Sequence, residues 1–235
     1  MQDTIAIVGK GRLGRALASA LRTADPHGRG YAGAGADVVL LCVPDAEIAA
    51  AAAQISPGPL VGHCSGATGL QALTPHEAFS LHPLMTVTAH GAEFAGAGAA
   101  IAGTTARALA VADELARALG MRAVEVLERD RVAYHAAASI ASNFLITLEA
   151  AAEQLASEAG VERALLVPLV RATVDNWAAL GADRALTGPV ARGDEQTVAA
   201  QRAAIAERAP DLVELFDVMV DRTRALARDR EAQPA

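Results

Sequence analysis

Apolar positions along the chain follow two rhythms: strand-like runs alternate with helical stretches up to Val126, and the spacing is helical beyond it. Residues 4–8 form a short β-type run, followed directly by Gly9-Lys10-Gly11-Arg12-Leu13-Gly14. A helical pattern over residues 12–22 breaks at Asp25-Pro26. Residues 38–43 are continuously apolar, the pattern of a strand buried on both faces. Asp45 is placed to cap a helix over residues 46–54. Residues 60–64, 78–81, 99–102 and 123–126 read as further strands, and a helix over 105–119 ends at Gly120. Thr74-Pro75-His76-Glu77 has capping-box spacing and predicts a short helical turn.

Helices are then expected over 130–159, 163–180, 195–208 and 211–228, with Asp194 and Asp211 as N-caps. Strand–helix alternation implies a parallel sheet with right-handed crossovers. The expected fold is therefore α/β: a Rossmann-like parallel sheet over residues 1–103, then a mainly α-helical C-terminal domain over 104–235. The transition falls between Gly103 and Glu128. In the first of the long helices, His135, Ser139 and Asn143 lie on one stripe at spacings of four. Ile140, Phe144 and Leu148 form the neighbouring apolar stripe, expected to face the core.

Composition narrows the picture. The chain has 235 residues, 52% of them apolar, enough for a core without disulfides or metals. A net charge of -7 and the lack of a basic run argue against a nucleic-acid partner. No apolar stretch approaches a membrane span, and Met1-Gln2-Asp3 leads straight into a strand rather than a signal peptide, so a cytoplasmic protein is expected. Cys42 and Cys64 are expected as free thiols. Lys10 is the only lysine, so Schiff-base chemistry or a lysine acid has to use it.

The glycine-rich turn carries the first functional expectation. In a βαβ unit the first glycine makes the tight turn, the second lets backbone approach a pyrophosphate, and the third lets helix pack on strand. Gly9, Gly11 and Gly14 fit these positions, with backbone N–H groups at the helix start holding phosphate. The second strand, whose acidic end normally holds the adenosine ribose, has no counterpart: residues 22–36 are rich in proline and glycine. Loss of the ribose contacts corresponds to about 1.5–3 kcal/mol of cofactor affinity. Arg12, Arg15, Arg22 and Arg29 are available for a 2′-phosphate, and NAD and NADP both stay open.

Three further stretches are specific when taken together: Gly62-His63-Cys64-Ser65-Gly66-Ala67, Ser80-Leu81-His82-Pro83-Leu84-Met85-Thr86 and Thr187-Gly188-Pro189-Val190-Ala191-Arg192-Gly193-Asp194. With the opening turn, they resemble an oxidoreductase family in which a Rossmann-like domain joins a helical C-terminal domain of unassigned function. That family lies in the 6-phosphogluconate dehydrogenase-like superfamily, beside ketopantoate reductase and pyrroline-5-carboxylate reductase. The resemblance covers nearly the whole chain. It implies NADP-dependent reduction of a small carbonyl or imine, foremost a 2-oxo acid of the ketopantoate kind, and a homodimer formed through the helical domain.

Ligands of open α/β sheets bind at the carboxyl ends of the strands. The expected cofactor contacts are therefore Gly9, Lys10, Gly11, Arg12, Leu13 and Gly14, with Val43, Pro44, Ser65 and Gly66 at the next strand ends. Related dehydrogenases place a catalytic lysine four residues before an asparagine; here Asn143 matches the asparagine and Ser139 stands in the lysine position. Proton donation then falls to His82 or His135. Arg192 is placed to bind an anionic substrate group. His63, Cys64, His76, His82 and His90 offer zinc-type ligands, but their spacings match no closed site and no metal is expected. The alternative to an enzyme is a dinucleotide fold, short of its adenosine wall and its lysine, acting as sensor or scaffold.

Overall fold

The computed structural model describes residues 3–89 and 91–232, and the chain divides after Asn143 into two compact units. The first unit contains β1 (Ile5–Val8), α1 (Arg12–Leu21), β2 (Val38–Leu41), α2 (Ile48–Ala52), β3 (Leu60–His63), β4 (Ala78–Leu84), β5 (Gly98–Gly103), α3 (Ala106–Ala118), β6 (Arg122–Glu125) and α4 (Arg131–Ser139). Its sheet has the order β1-β2-β3-β4-β5-β6. Alternation along each strand sends neighbouring residues to opposite faces. Ile7, Val38, Leu40 and Leu60 thus join Leu17 and Leu115 in one core. Ala6, Val8, Val39 and Leu41 join Ile48, Ala52 and Leu73 in the other.

The Rossmann-like expectation holds, and the sheet extends past Gly103 through α3 and β6. The strands are not all parallel: β4 and β5 run antiparallel, because residues 85–97 join them without a crossover helix. β4 is also longer than expected. Its pairing with β3 ends at His63–Ser80, so beyond Ser80 only β5 flanks it. Pro83, which has no N–H to donate, is tolerated on that open side, and His82 emerges there.

The missing second strand is reduced to one residue. His27 bridges Val8 in parallel fashion, its N–H donating to the Ile7 carbonyl at 2.7 Å and its carbonyl accepting from Gly9 N–H at 3.0 Å. β1 is consequently the edge of the sheet. Two expected caps are corrected. Asp45 makes no cap bond, its carboxylate being taken by Ser65, and no helix opens at Thr74 because the turn Leu70–Leu73 ends there and leads into β4. Thr105, in contrast, caps α3 by accepting from Ala108 N–H at 3.1 Å.

The second unit is helical: α5 (Leu145–Glu158), α6 (Arg163–Leu180), α7 (Ala182–Ala185), α8 (Glu195–Arg208) and α9 (Val213–Ala232). Asp194 caps α8 as expected, accepting from Thr197 N–H at 3.1 Å. Asp211 does not cap; it lies inside a 3₁₀ turn, Pro210–Leu212. Arg202 grips Asp217 through two 2.8 Å bonds, tying α8 to α9. The expected long helix over 130–159 is interrupted by a π-turn, Ile140–Phe144. One extra residue in that turn shifts every later side chain around the axis. The predicted inward stripe also fails, with Ile140 and Phe144 exposed and no residue of α5 buried. Among the described residues no helix is long and apolar enough to cross a membrane.

Candidate functional site

The three glycines of the opening turn are under different constraints. Gly9 has φ +122°, and a Cβ there would lie 2.2 Å from the Cys42 carbonyl oxygen. A Cβ on Gly14 would lie 2.0 Å from the Gly9 carbonyl oxygen. Gly11 has nothing within 4 Å of its Cβ position. Packing therefore demands the first and third glycines, while the second faces open space, as a backbone approached by a ligand must. Gly11 is also the N-cap of α1, with no side-chain cap bond and no acidic residue in the first turn. The helix-start amides and their positive potential are left for an anion.

A cleft of about 880 Å³ opens beside this turn. Gly9, Lys10 and Gly11 form one wall, Val43, Pro44, Ala51 and Gln54 another, and Gly28, Arg29 and Tyr31 close it. The Pro/Gly-rich segment thus supplies a wall where the second strand was missing. His27 and Tyr31 stack in parallel at 3.8 Å, and Arg29 holds Glu47 with bonds of 2.8 and 3.0 Å. The side chains of two expected contacts lie elsewhere, leaving only their helix-start amides for the turn: Arg12 lines a separate cleft with Arg15 and Thr88, and Leu13 packs on the core.

A second polar centre forms at the ends of β3 and β4. The Ser65 hydroxyl donates to Asp45 at 2.7 Å and accepts from Thr68 N–H at 2.8 Å. Arg131 is 2% exposed and donates to the Ser65 carbonyl at 3.2 Å and the Ser80 hydroxyl at 2.6 Å. Its Nε approaches Glu128 at 3.7 Å. His63 is fully buried; its Nδ1 accepts from Ser65 N–H at 3.2 Å, and its pKa falls to about 4 through burial and then the Arg131 charge. Tyr134 Oη lies 2.8 Å from Nδ1 of His82, with the two rings edge to face. The His135 ring stands 5.9 Å from that of His82. Burial, His135 and Arg131 lower the His82 pKa to about 4, so its ring is neutral at pH 7.

Gly66 makes this assembly possible. A Cβ there would lie 2.5 Å from the His135 ring and 2.9 Å from Nε2 of His82. The structure therefore brings Ser65, Gly66, His82 and His135 together. Asp45, directly after Pro44 of the cleft wall, joins them through Ser65. Ser139 is half-buried one turn beyond His135, Asn143 is exposed within the π-turn, and Arg192 is exposed in the second unit before α8. Arg131 and Tyr134 escaped the sequence reading. Their signal was available, since Arg131, Tyr134 and His135 have the i, i+3, i+4 spacing of one helix face. His76 is structural, its ring bonded to the Ala52 carbonyl at 3.0 Å, and His90 lies outside the described residues. Among the described residues no three His, Cys, Asp or Glu side chains converge on a metal position.

Solved structures share this fold across nearly the whole chain. Protein TM1727 from Thermotoga maritima is 24% identical with TM-score 0.82, over 97% of this chain and 99% of that one. A reductive aminase from Aspergillus terreus, in complex with NADPH and ethyl-5-oxohexanoate, is 14% identical with TM-score 0.68, over 97% and 98%. The Plasmodium falciparum pyrroline carboxylate reductase with NADP bound is 11% identical with TM-score 0.61, over 96% and 98%. No curated protein matches the sequence. Residues 97–223, from the start of the β5 region into α9, match the family model described as domain of unknown function DUF2520. That match takes in more than half of the chain, which belongs to the DUF2520 family.

Proposed function

We propose that the protein is an NAD(P)-dependent reductase of a small carbonyl compound, foremost a 2-oxo acid of the ketopantoate kind. The observation that carries this reading is the division of labour in the opening turn: two glycines fixed by packing and a third open to a ligand at an uncapped helix start. The adjoining cleft is of the size that small-molecule and cofactor sites occupy. NADP and NADPH in the Plasmodium and Aspergillus proteins of the same fold favour the phosphorylated cofactor. The cofactor would supply hydride when bound; the open helix start at Gly11, shaped by the packed Gly9 and Gly14, would hold its pyrophosphate, and His82 would face the reacting oxygen.

Fluorescence or calorimetric titration with NADPH and NADH tests the reading, and saturable binding is expected. Gly11→Val places a branched side chain where a pyrophosphate must approach and is expected to weaken binding at least about 100-fold, the equivalent of two or three lost hydrogen bonds. Its melting temperature falls by only a few degrees, because Gly11 touches nothing and a poorer N-cap costs under about 1 kcal/mol. Absence of binding by the wild type at millimolar cofactor removes the reductase reading in favour of a sensor or scaffold.

We also propose a homodimer formed through the helical unit. Ile146, Leu165, Leu169 and Trp177 are each at least 59% exposed on α5 and α6. Large apolar side chains grouped in this way mark association surfaces. Sedimentation should give a dimer that Trp177→Glu converts to monomer; a monomeric wild type refutes the assignment.

A further inference from the structure

We propose that Tyr134 and His82 form a proton relay, and that the group reduced is accordingly an uncharged carbonyl rather than a preformed iminium. The inference rests on the reductase reading above. Its geometric basis is the 2.8 Å contact between Tyr134 Oη and Nδ1 of His82, which leaves Nε2 as the ring nitrogen facing Gly66. The charged and titratable groups around the ring are Tyr134, His135 and Arg131 from α4 and Asp45 from the turn after β2.

A neutral imidazole that gives up a proton becomes an anion unless its other nitrogen is reprotonated in the same event. The Tyr134 hydroxyl is the group placed to do this. As hydride reaches the carbonyl carbon, the carbonyl π electrons become a lone pair on oxygen. That oxygen takes the proton from His82 Nε2. The Tyr134 O–H bond breaks, its proton forms the Nδ1–H bond, and the ring emerges neutral in its other tautomer. Carbonyl is reduced to alcohol, the dihydronicotinamide is oxidised, and the negative charge rests on the Tyr134 oxygen until water returns a proton.

Arg131 is the countercharge for that state. Three residues before Tyr134 on the same helix, it is held in place by Ser65 and Ser80; burial raises the Tyr134 pKa overall, and the Arg131 charge opposes that rise. The same buried cation makes the centre hospitable to a developing oxyanion and hostile to a bound iminium. An iminium accepting hydride also needs no proton, so Tyr134 and His82 would have nothing to do.

Nitrogen-15 NMR of the histidine rings, NADPH titration and steady-state kinetics on wild type and Tyr134→Phe decide the matter. At pH 7 wild-type His82 should be neutral with its proton on Nε2, and Tyr134→Phe should release that tautomer preference. With 2-oxo acids and ketones as probes, Tyr134→Phe should lower kcat about 100-fold, a typical loss for general acid catalysis, leaving KM and NADPH affinity near wild type. A proton on Nδ1 of wild-type His82, an unchanged kcat in Tyr134→Phe, or turnover of a cyclic iminium faster than any ketone overturns the relay. Failure of the wild type to bind NADPH removes the reductase reading and the relay together. NADPH binding with the wrong tautomer removes the relay alone.

Discussion

Acidification from pH 7 to pH 4 is expected to remove about 3 kcal/mol of stability through His63 alone. The side chain titrates at 6.5 in its ordinary environment and at about 4 in the fold, because it is buried and faces Arg131. Between those values the unfolded chain binds more protons than the folded one, so stability is complete above pH 6.5 and falls as pH drops towards 4. His82 shifts in the same direction for the same causes, with His135 added, and steepens the loss. For a chain of this length, 3 kcal/mol corresponds to a drop of roughly 6–12 °C in melting temperature. Thermal unfolding followed across pH 7 to 4 measures it. His63→Asn, which can still accept from Ser65 N–H, should flatten the profile; an equal slope in the variant would show that other groups cause the loss.

The second large effect is expected from one methyl group at Gly14. Gly14→Ala puts a Cβ 2.0 Å from the Gly9 carbonyl oxygen and 3.3 Å from the Cys42 side chain, and neither neighbour is a flexible side-chain end. The turn must move, at a cost of about 3 kcal/mol, the upper part of the range for an overpacked site. Because the displaced atom belongs to Gly9, dinucleotide binding should fall along with stability. Gly11→Ala is the control, with a loss under about 1 kcal/mol, the cost of alanine in place of glycine at the N-cap of α1. Chemical denaturation of the two variants checks the contrast, and a wild-type-like Gly14→Ala would mean that the turn is looser than its contacts imply.

Much of the fold was legible because burial on both faces writes long apolar runs: β1, β2 and β3 fell where residues 4–8, 38–43 and 60–64 placed them. Three features were not legible, the first two because non-local contacts decided them. The antiparallel β4–β5 pair depends on a connector whose composition does not announce its path. Pro83 reads as a strand end, yet the strand continues because β3 stops before reaching it. The π-turn Ile140–Phe144 interrupts a helix that reads as regular, and Ile140 and Phe144 are exposed. The site was legible in the same measure. His82, His135, Ser65 and Gly66 were found from strand ends and histidine chemistry. Arg131 was passed over because arginines are rarely buried, and Tyr134 because His135, Ser139 and Asn143 offered a more familiar stripe.

In a full doubly wound sheet the strand that carries the phosphate-gripping turn lies in the middle, braced from both sides. Here that strand is the outermost, and a single residue, His27, stands guard over its flank. Gly9 donates its N–H to that same residue, so any fraying of the margin passes at once to the anion grip. Under the proposed function, the hold on a dinucleotide would thus be tied to its least protected border, and whatever orders the stretch around His27 would also tune affinity.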